Sequence, residues 1–219
     1  MSTKGVFRVE CPLCGESFDA DFWTVVRGDR DQKVKALILS GEFDLLMCPA
    51  CDGMFPHEEP FMYLDPGKDL LAFVMPENYA AEKEKWVARM QADYAPVRAA
   101  MSANHALSSE PVYFFGLGPL AELLASDLDR EEETEVMEFM AREAGLTLVA
   151  VKPSAARALD IPFSLPVAKG LSGRAAALKA AQELLAKNDA LLRLKNLAAV
   201  LAAQKEDAIT FVKDEAVSA

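Results

Sequence analysis

Histidine is nearly missing: the 219-residue chain has two, His57 and His105, far apart. Ser-His or Cys-His nucleophilic catalysis has little material here. No apolar run approaches the roughly 18 residues that span a bilayer, and Met1-Ser2-Thr3-Lys4-Gly5 leads into no hydrophobic segment of the kind an export signal needs. A soluble, unexported protein is the expectation. Basic side chains are scarce against acidic ones, 23 to 34, for a formal net charge of −11. Residues 1–76 carry −6, 77–145 carry −8 and 146–219 carry +3. Phosphate binding draws its affinity from Lys and Arg, so sequence-independent nucleic-acid binding is disfavoured. Cysteine is absent outside two short pairs, which leaves none for the long-range disulfides of secreted proteins. A reducing cytoplasm fits that usage.

Those two pairs are the strongest signal in the chain. Cys11-Pro12-Leu13-Cys14 and Cys48-Pro49-Ala50-Cys51 spell C-x2-C, thirty-three residues, C-x2-C. Two residues between thiolates let a tight turn aim both sulfurs at one ion, and two such turns complete a tetrahedral shell. Four protein ligands leave no position open for substrate, so the metal is expected to be structural. Zinc leads because four thiolates are one of its standard structural shells, and its binding is expected to fold the module around it. Dithiol redox chemistry uses a C-x-x-C with one exposed, low-pKa thiolate on a βαβ scaffold. Here Pro follows the first cysteine and a second pair is present, which favours ligation over exchange.

Cys-Pro-Leu-Cys-Gly and Cys-Pro-Ala-Cys-Asp-Gly frame a segment running on through Met75-Pro76-Glu77 that resembles the bacterial CpXC domain. Pro111-Val112-Tyr113 and the acidic helical stretch after it are similar to the next segment of such proteins. The resemblance implies a zinc-ribbon-like fold and metal ligands, and leaves activity open, since that family is functionally uncharacterised. Cys14-Gly15-Glu16-Ser17-Phe18-Asp19 with Cys48-Pro49-Ala50-Cys51 is also similar to rubredoxin, which implies iron and electron transfer. The segment between the pairs departs from rubredoxin's loop by carrying Val34, Leu37 and Ile38 at helical spacing.

Gly5–Glu10 alternates apolar and polar side chains up to Cys11, and Phe18–Val26 reads as its returning strand. A helix comes next, from Asp31, a candidate cap, to Gly41. Further strands are expected over Phe43–Met47, Phe61–Leu64 and Leu70–Met75, with Asp65-Pro66-Gly67 as a turn. Tyr79, Trp86, Val87, Met90, Tyr94, Val97 and Met101 form one stripe of a long helix, kinked at Pro96. The polar stretch Ser102–Glu110 reads as a linker. Val112–Phe115 is a buried-strand candidate, Pro119 is placed to open a helix ending near Asp127, and Asp129-Arg130-Glu131-Glu132 has capping-box spacing for a second helix stopped by Gly145. Thr147–Val151 reads as a strand, residues 172–204 as two helices divided at Asn188-Asp189, and Ile209–Val212 as a short strand.

The expected class is α+β. Residues 1–76 are a four-cysteine zinc ribbon with a small antiparallel sheet, 77–110 a kinked connecting helix and linker, and 111–219 a helix-rich α/β domain. The expected site residues are the metal ligands Cys11, Cys14, Cys48 and Cys51, with Zn2+ or alternatively Fe bound, and no catalytic or organic-cofactor residues. Gly116-Leu117-Gly118-Pro119-Leu120-Ala121 fits G-x-G-x-x-A, but Pro119 withdraws a donor from any phosphate cradle and no acid follows the next strand. Solvated acids at Glu131–Glu135 and a helix-packing Leu/Ala face after Ser172 need no ligand. The expected function is a non-catalytic zinc-binding module with a protein partner or a second copy of itself. The alternatives are an enzyme with its site in 111–219 and an iron electron-transfer protein.

Overall fold

A computed structural model describes residues 2–101, 110–169, 173–204, 209, 210 and 212. The contacts divide the chain into two compact units, Met1–Leu124 and Ala125–Ala219. The linker expected at residues 102–110 lies, up to residue 109, outside the described residues, as does His105.

In the first unit, strands β1 (Thr3–Glu10) and β2 (Ser17–Arg27) form a long hairpin. Helix α1 (Gln32–Ser40) follows and ends on Gly41, whose φ of 73° lets two backbone N–H groups turn back onto Ile38 and Leu37 carbonyls. Asp31 occupies the cap position, but its side chain makes no capping bond. A separate short hairpin joins β3 (Leu45–Met47) to β4 (Met54–Pro56). Strands β5 (Phe61–Asp65) and β6 (Leu70–Met75) turn on Pro66–Lys68, where the Lys68 N–H donates to Asp65 Oδ1 at 3.2 Å. After a 3-10 stretch over Glu77–Glu82 comes α2 (Lys83–Met101), unbroken through Pro96, then β7 (Val112–Phe115).

These strands form one sheet in the order β1-β2-β5-β6-β7. The expected antiparallel sheet is therefore larger and mixed: β2 runs parallel to β5, and β6 parallel to β7. Parallel neighbours need a crossover, which α1 and α2 supply. Because β7 hydrogen-bonds to β6, residues 112–115 stand in the first unit and not beyond a boundary at 110. One core gathers Val34 and Ile38 of α1 with Val26, Tyr63, Ala72 and Val74 of the sheet. Phe73, on the opposite face of β6 from Ala72 and Val74, meets Tyr94 of α2 and stacks with Tyr113 of β7. Tyr94 of the α2 stripe thus packs on the sheet, while the side chains of Val97 and Met101 lie outside the described residues.

Helix α3 (Gly118–Glu143) is a single helix of 26 residues, where two were expected, and the division between units falls inside it. Leu120 and Leu124 belong to the core of the first unit, Met137 and Ala141 to that of the second. The expected helix break does not form because Asp127 neither caps nor ends a helix: its carboxylate is 3% exposed and paired with Arg130 at 2.7 Å and Arg157 at 3.2 Å. Tertiary pairing outweighs the weak helix propensity of Asp. Gly145, at φ 70°, ends the helix, with Leu146 N–H donating to the Ala141 carbonyl.

The rest of the second unit comprises β8 (Thr147–Ala150) antiparallel to β9 (Ser164–Val167), α4 (Pro153–Leu159), α5 (Arg174–Lys187) and α6 (Leu192–Ala203). The break between α5 and α6 falls at Asn188-Asp189, and Val212 makes a single bridge to Val151. Ala177, Ala181, Leu184, Leu194, Leu197 and Leu201 are fully buried in one core. Among the described residues no helix is long and apolar enough to cross a membrane.

Candidate metal centre

Strand β1 ends at Glu10, so Cys11 begins the turn into β2; Cys48 stands just after β3 and Cys51 shortly before β4. The two turns are built alike. Cys11 N–H donates to the Glu16 carbonyl at 2.8 Å, and Gly15 N–H to the Cys11 carbonyl at 2.9 Å. In the second turn Cys48 N–H reaches the Gly53 carbonyl at 2.9 Å, and Asp52 N–H the Cys48 carbonyl at 2.9 Å. The fifth residue of each turn lies in the left-handed region, Gly15 at φ 75° and Asp52 at φ 55°. Gly costs nothing there and Asp is among the residues that tolerate it.

Cys11 Sγ lies 3.9 Å from Cys51 Sγ, and Cys14 Sγ lies 3.7 Å from Cys48 Sγ. All four sulfurs fall within 4.8 Å of one another. A tetrahedral ion with metal–sulfur bonds of about 2.3 Å places its sulfurs roughly 3.8 Å apart, so this donor set fits one ion. Cys11 and Cys48 are buried, while Cys14 and Cys51 are exposed. The buried pair packs with Val9, Phe22 and Phe55 in a small core of its own. Phe7 meets the edge of Phe22 and Phe18 the edge of Phe55, so this core is largely aromatic.

The thiols are unequal. Burial resists ionisation of Cys48, but the backbone N–H groups of Ala50 and Cys51 and the thiols of Cys11 and Cys14 bring it down to about 7. A backbone hydrogen bond at Glu16 favours the Cys14 thiolate, yet desolvation and the other three thiols push it up to about 12. Ionising all four together needs a cation among them, which a metal ion supplies.

His57 stands outside the thiol group: its Nε2 lies 3.1 Å from Glu59 Oε1 and its ring tilts against Phe22 at 5.2 Å. Among the described residues the four cysteines are the one group arranged to hold a metal. The G-x-G-x-x-A segment does link a strand to a helix, with Gly116 at φ 80°, and Gly116 N–H donates to the Met75 carbonyl at 2.7 Å. It lines a cleft together with Asp44, Glu58 and Glu77, whose carboxylates disfavour a phosphate. No local sequence pattern announces this cleft, because the acids come from three separate loops. Burial, reinforced by the Glu58 charge and partly offset by His57, raises the Asp44 carboxyl to about 6.

A family model described as CpXC protein matches residues 9–136, more than half of the chain. The match contains all four cysteines and takes in strands from each part of the five-stranded sheet. No curated protein and no solved structure matches the chain. With four thiols gathered in two like turns and the family model spanning that whole region, this chain belongs to the CpXC family.

Proposed function

We propose that the protein is a non-catalytic metalloprotein of the reducing cytoplasm in which Cys11, Cys14, Cys48 and Cys51 hold one structural zinc ion. The observation that carries this reading is the closure of the shell: four sulfurs within 4.8 Å supply every ligand a tetrahedral ion takes. The ribbon then serves as a protein-interaction surface. Leu13, Met47 and Met54 are 63%, 62% and 64% exposed beside the two exposed cysteines. Met47 and Met54 face each other across the hairpin, and Leu13 occupies the space a Gly53 side chain would need. Grouped, exposed apolar side chains of this kind favour a protein partner or a second copy of the chain over a nucleic acid.

Metal analysis after reducing, chelator-free purification tests the site, with one equivalent of zinc expected. Less than half an equivalent of any transition metal overturns it. The same four-thiolate shell also suits iron, and colour separates the two, because ferric thiolate absorbs visible light and zinc thiolate does not. For the surface, affinity isolation with the native chain and with Leu13→Ser/Met54→Ser should recover a partner only with the former. Sedimentation over a range of concentrations identifies that partner as a second copy if mass rises with concentration. Equal recovery by both chains, with no self-association, refutes the interaction reading.

A further inference from the structure

The cleft beside the amino-terminal end of α3 has a volume of about 960 Å³ and opens beyond the carboxyl ends of the parallel pair β6 and β7. That is the edge of a sheet where loops rather than strands face a ligand. Its lining holds the three carboxylates of Asp44, Glu58 and Glu77 and no Lys or Arg. Glu58 is fixed in place, accepting the Glu77 backbone N–H at 2.7 Å through Oε2. The Asp44 carboxylate is partly buried and, among the described residues, no hydrogen-bond donor reaches it. A like charge at Glu58 faces it, and His57, the nearby group of opposite tendency, is turned to Glu59. Half-buried carboxylates normally meet a cation or a donor, and here that role is left to something that enters the cleft.

The chemistry of the walls narrows what enters. A phosphate meets three carboxylates and, at the start of α3, Pro119 without an N–H. A bare divalent cation finds no cluster, since these carboxylate oxygens do not converge as the thiols do. Leu45, Phe115 and Leu117 supply apolar surface next to the acids. We propose that this cleft binds a small organic cation, a primary amine or guanidinium carried on an apolar body, with its charge against Asp44 and Glu58 and its body against Leu45, Phe115 and Leu117. The proposal is independent of which metal the cysteines hold.

Phenethylamine, hexylamine and agmatine are titrated into the full-length, metal-loaded chain while backbone amide resonances are followed. Saturable shifts centred on Asp44, Glu58 and Gly116 are expected for at least one of them, and binding of the matching neutral alcohol at least about tenfold weaker. Asp44→Asn and Glu58→Gln should each weaken the amine by about tenfold or more, whereas exposed Glu132→Gln leaves it unchanged. The amide of Glu58→Gln keeps an oxygen for the Glu77 N–H, and unchanged metal content and circular dichroism establish that both variants fold. Absence of saturable shifts with all three cations overturns the proposal. So does equal binding of amine and alcohol, or undiminished binding by folded Asp44→Asn.

Discussion

Gly28 has no room for a side chain, because a Cβ built there overlaps the hydroxyl of Tyr63, itself fully buried in the first core. Gly28→Ala is expected to cost about 1–3 kcal/mol by overpacking, read as a lower urea midpoint at unchanged slope. Tyr63→Phe in the same chain should recover part of that loss, and an unchanged midpoint in the single variant would show that the loop yields freely. Asp44 makes a prediction of opposite sign. Its carboxyl is pushed up to about 6, above the usual value of about 3.9, so folding penalises the charged form. Between about pH 4 and 6 the folded state binds more protons than the unfolded one, and this group's contribution to stability falls as pH rises through that window. Asp44→Asn should therefore flatten that limb and raise stability at pH 7, measured by denaturation at a series of pH values. Glu58 deepens the penalty and His57 softens it, so Glu58→Gln should have a smaller effect in the same direction.

At the scale of elements, α3 illustrates how a local pattern misleads. Asp129 to Glu132 has the spacing of a capping box, but the decisive partners of this stretch lie about thirty residues away. Arg130 is 3% exposed and donates to Asp127 at 2.7 Å, Asp160 at 3.0 Å and the Ile161 carbonyl at 3.1 Å. Nothing near Asp127 in sequence distinguishes a carboxylate that caps a helix from one that pairs with a distant arginine. The same limit hid β7 from its sheet, since its partner β6 precedes it by a whole helix, and hid the cleft, whose walls come from separate loops. What was legible was local: the two C-x2-C turns, the alternation of β1, the Gly41 and Gly145 stops, and the break at Asn188-Asp189. Arg130→Met leaves buried Asp127 with Arg157 alone, and is expected to cost about 3–5 kcal/mol. Asp127→Asn added to it should restore a good part of that stability, and a double variant no better than the single would mean that packing of the arginine, not charge, dominates.

At the scale of the whole molecule, the described residues gather into three apolar clusters, and a metal at the four thiols reaches one of them directly. The ribbon cluster of Val9, Cys11, Phe22, Cys48 and Phe55 is too small to hold its strands alone, as it buries five residues with two of them cysteines of the thiol group. The cluster around Tyr63, Ile38 and Leu120 and the cluster around Leu184 and Leu197 contain no cysteine. A structural ion that contributes on the order of 10 kcal/mol at the thiolates therefore supports the ribbon first. Treatment with chelator under reducing conditions, followed by hydrogen exchange, should expose amides of residues 6–22 and of the hairpin formed by β3 and β4. Amides of β5, β6 and α1 should retain most of their protection, and those of Arg174–Lys187 and Leu192–Ala203 all of it. Cys48→Ser should reproduce this pattern without chelator, since Cys48 is fully buried within the thiol group and serine offers a poorer donor to a soft ion. Uniform loss of protection across Arg174–Lys187 in either experiment would mean that the second core depends on the ribbon. Unchanged protection at residues 6–22 would mean that the aromatic packing of Phe7, Phe18, Phe22 and Phe55 holds the thiols together unaided.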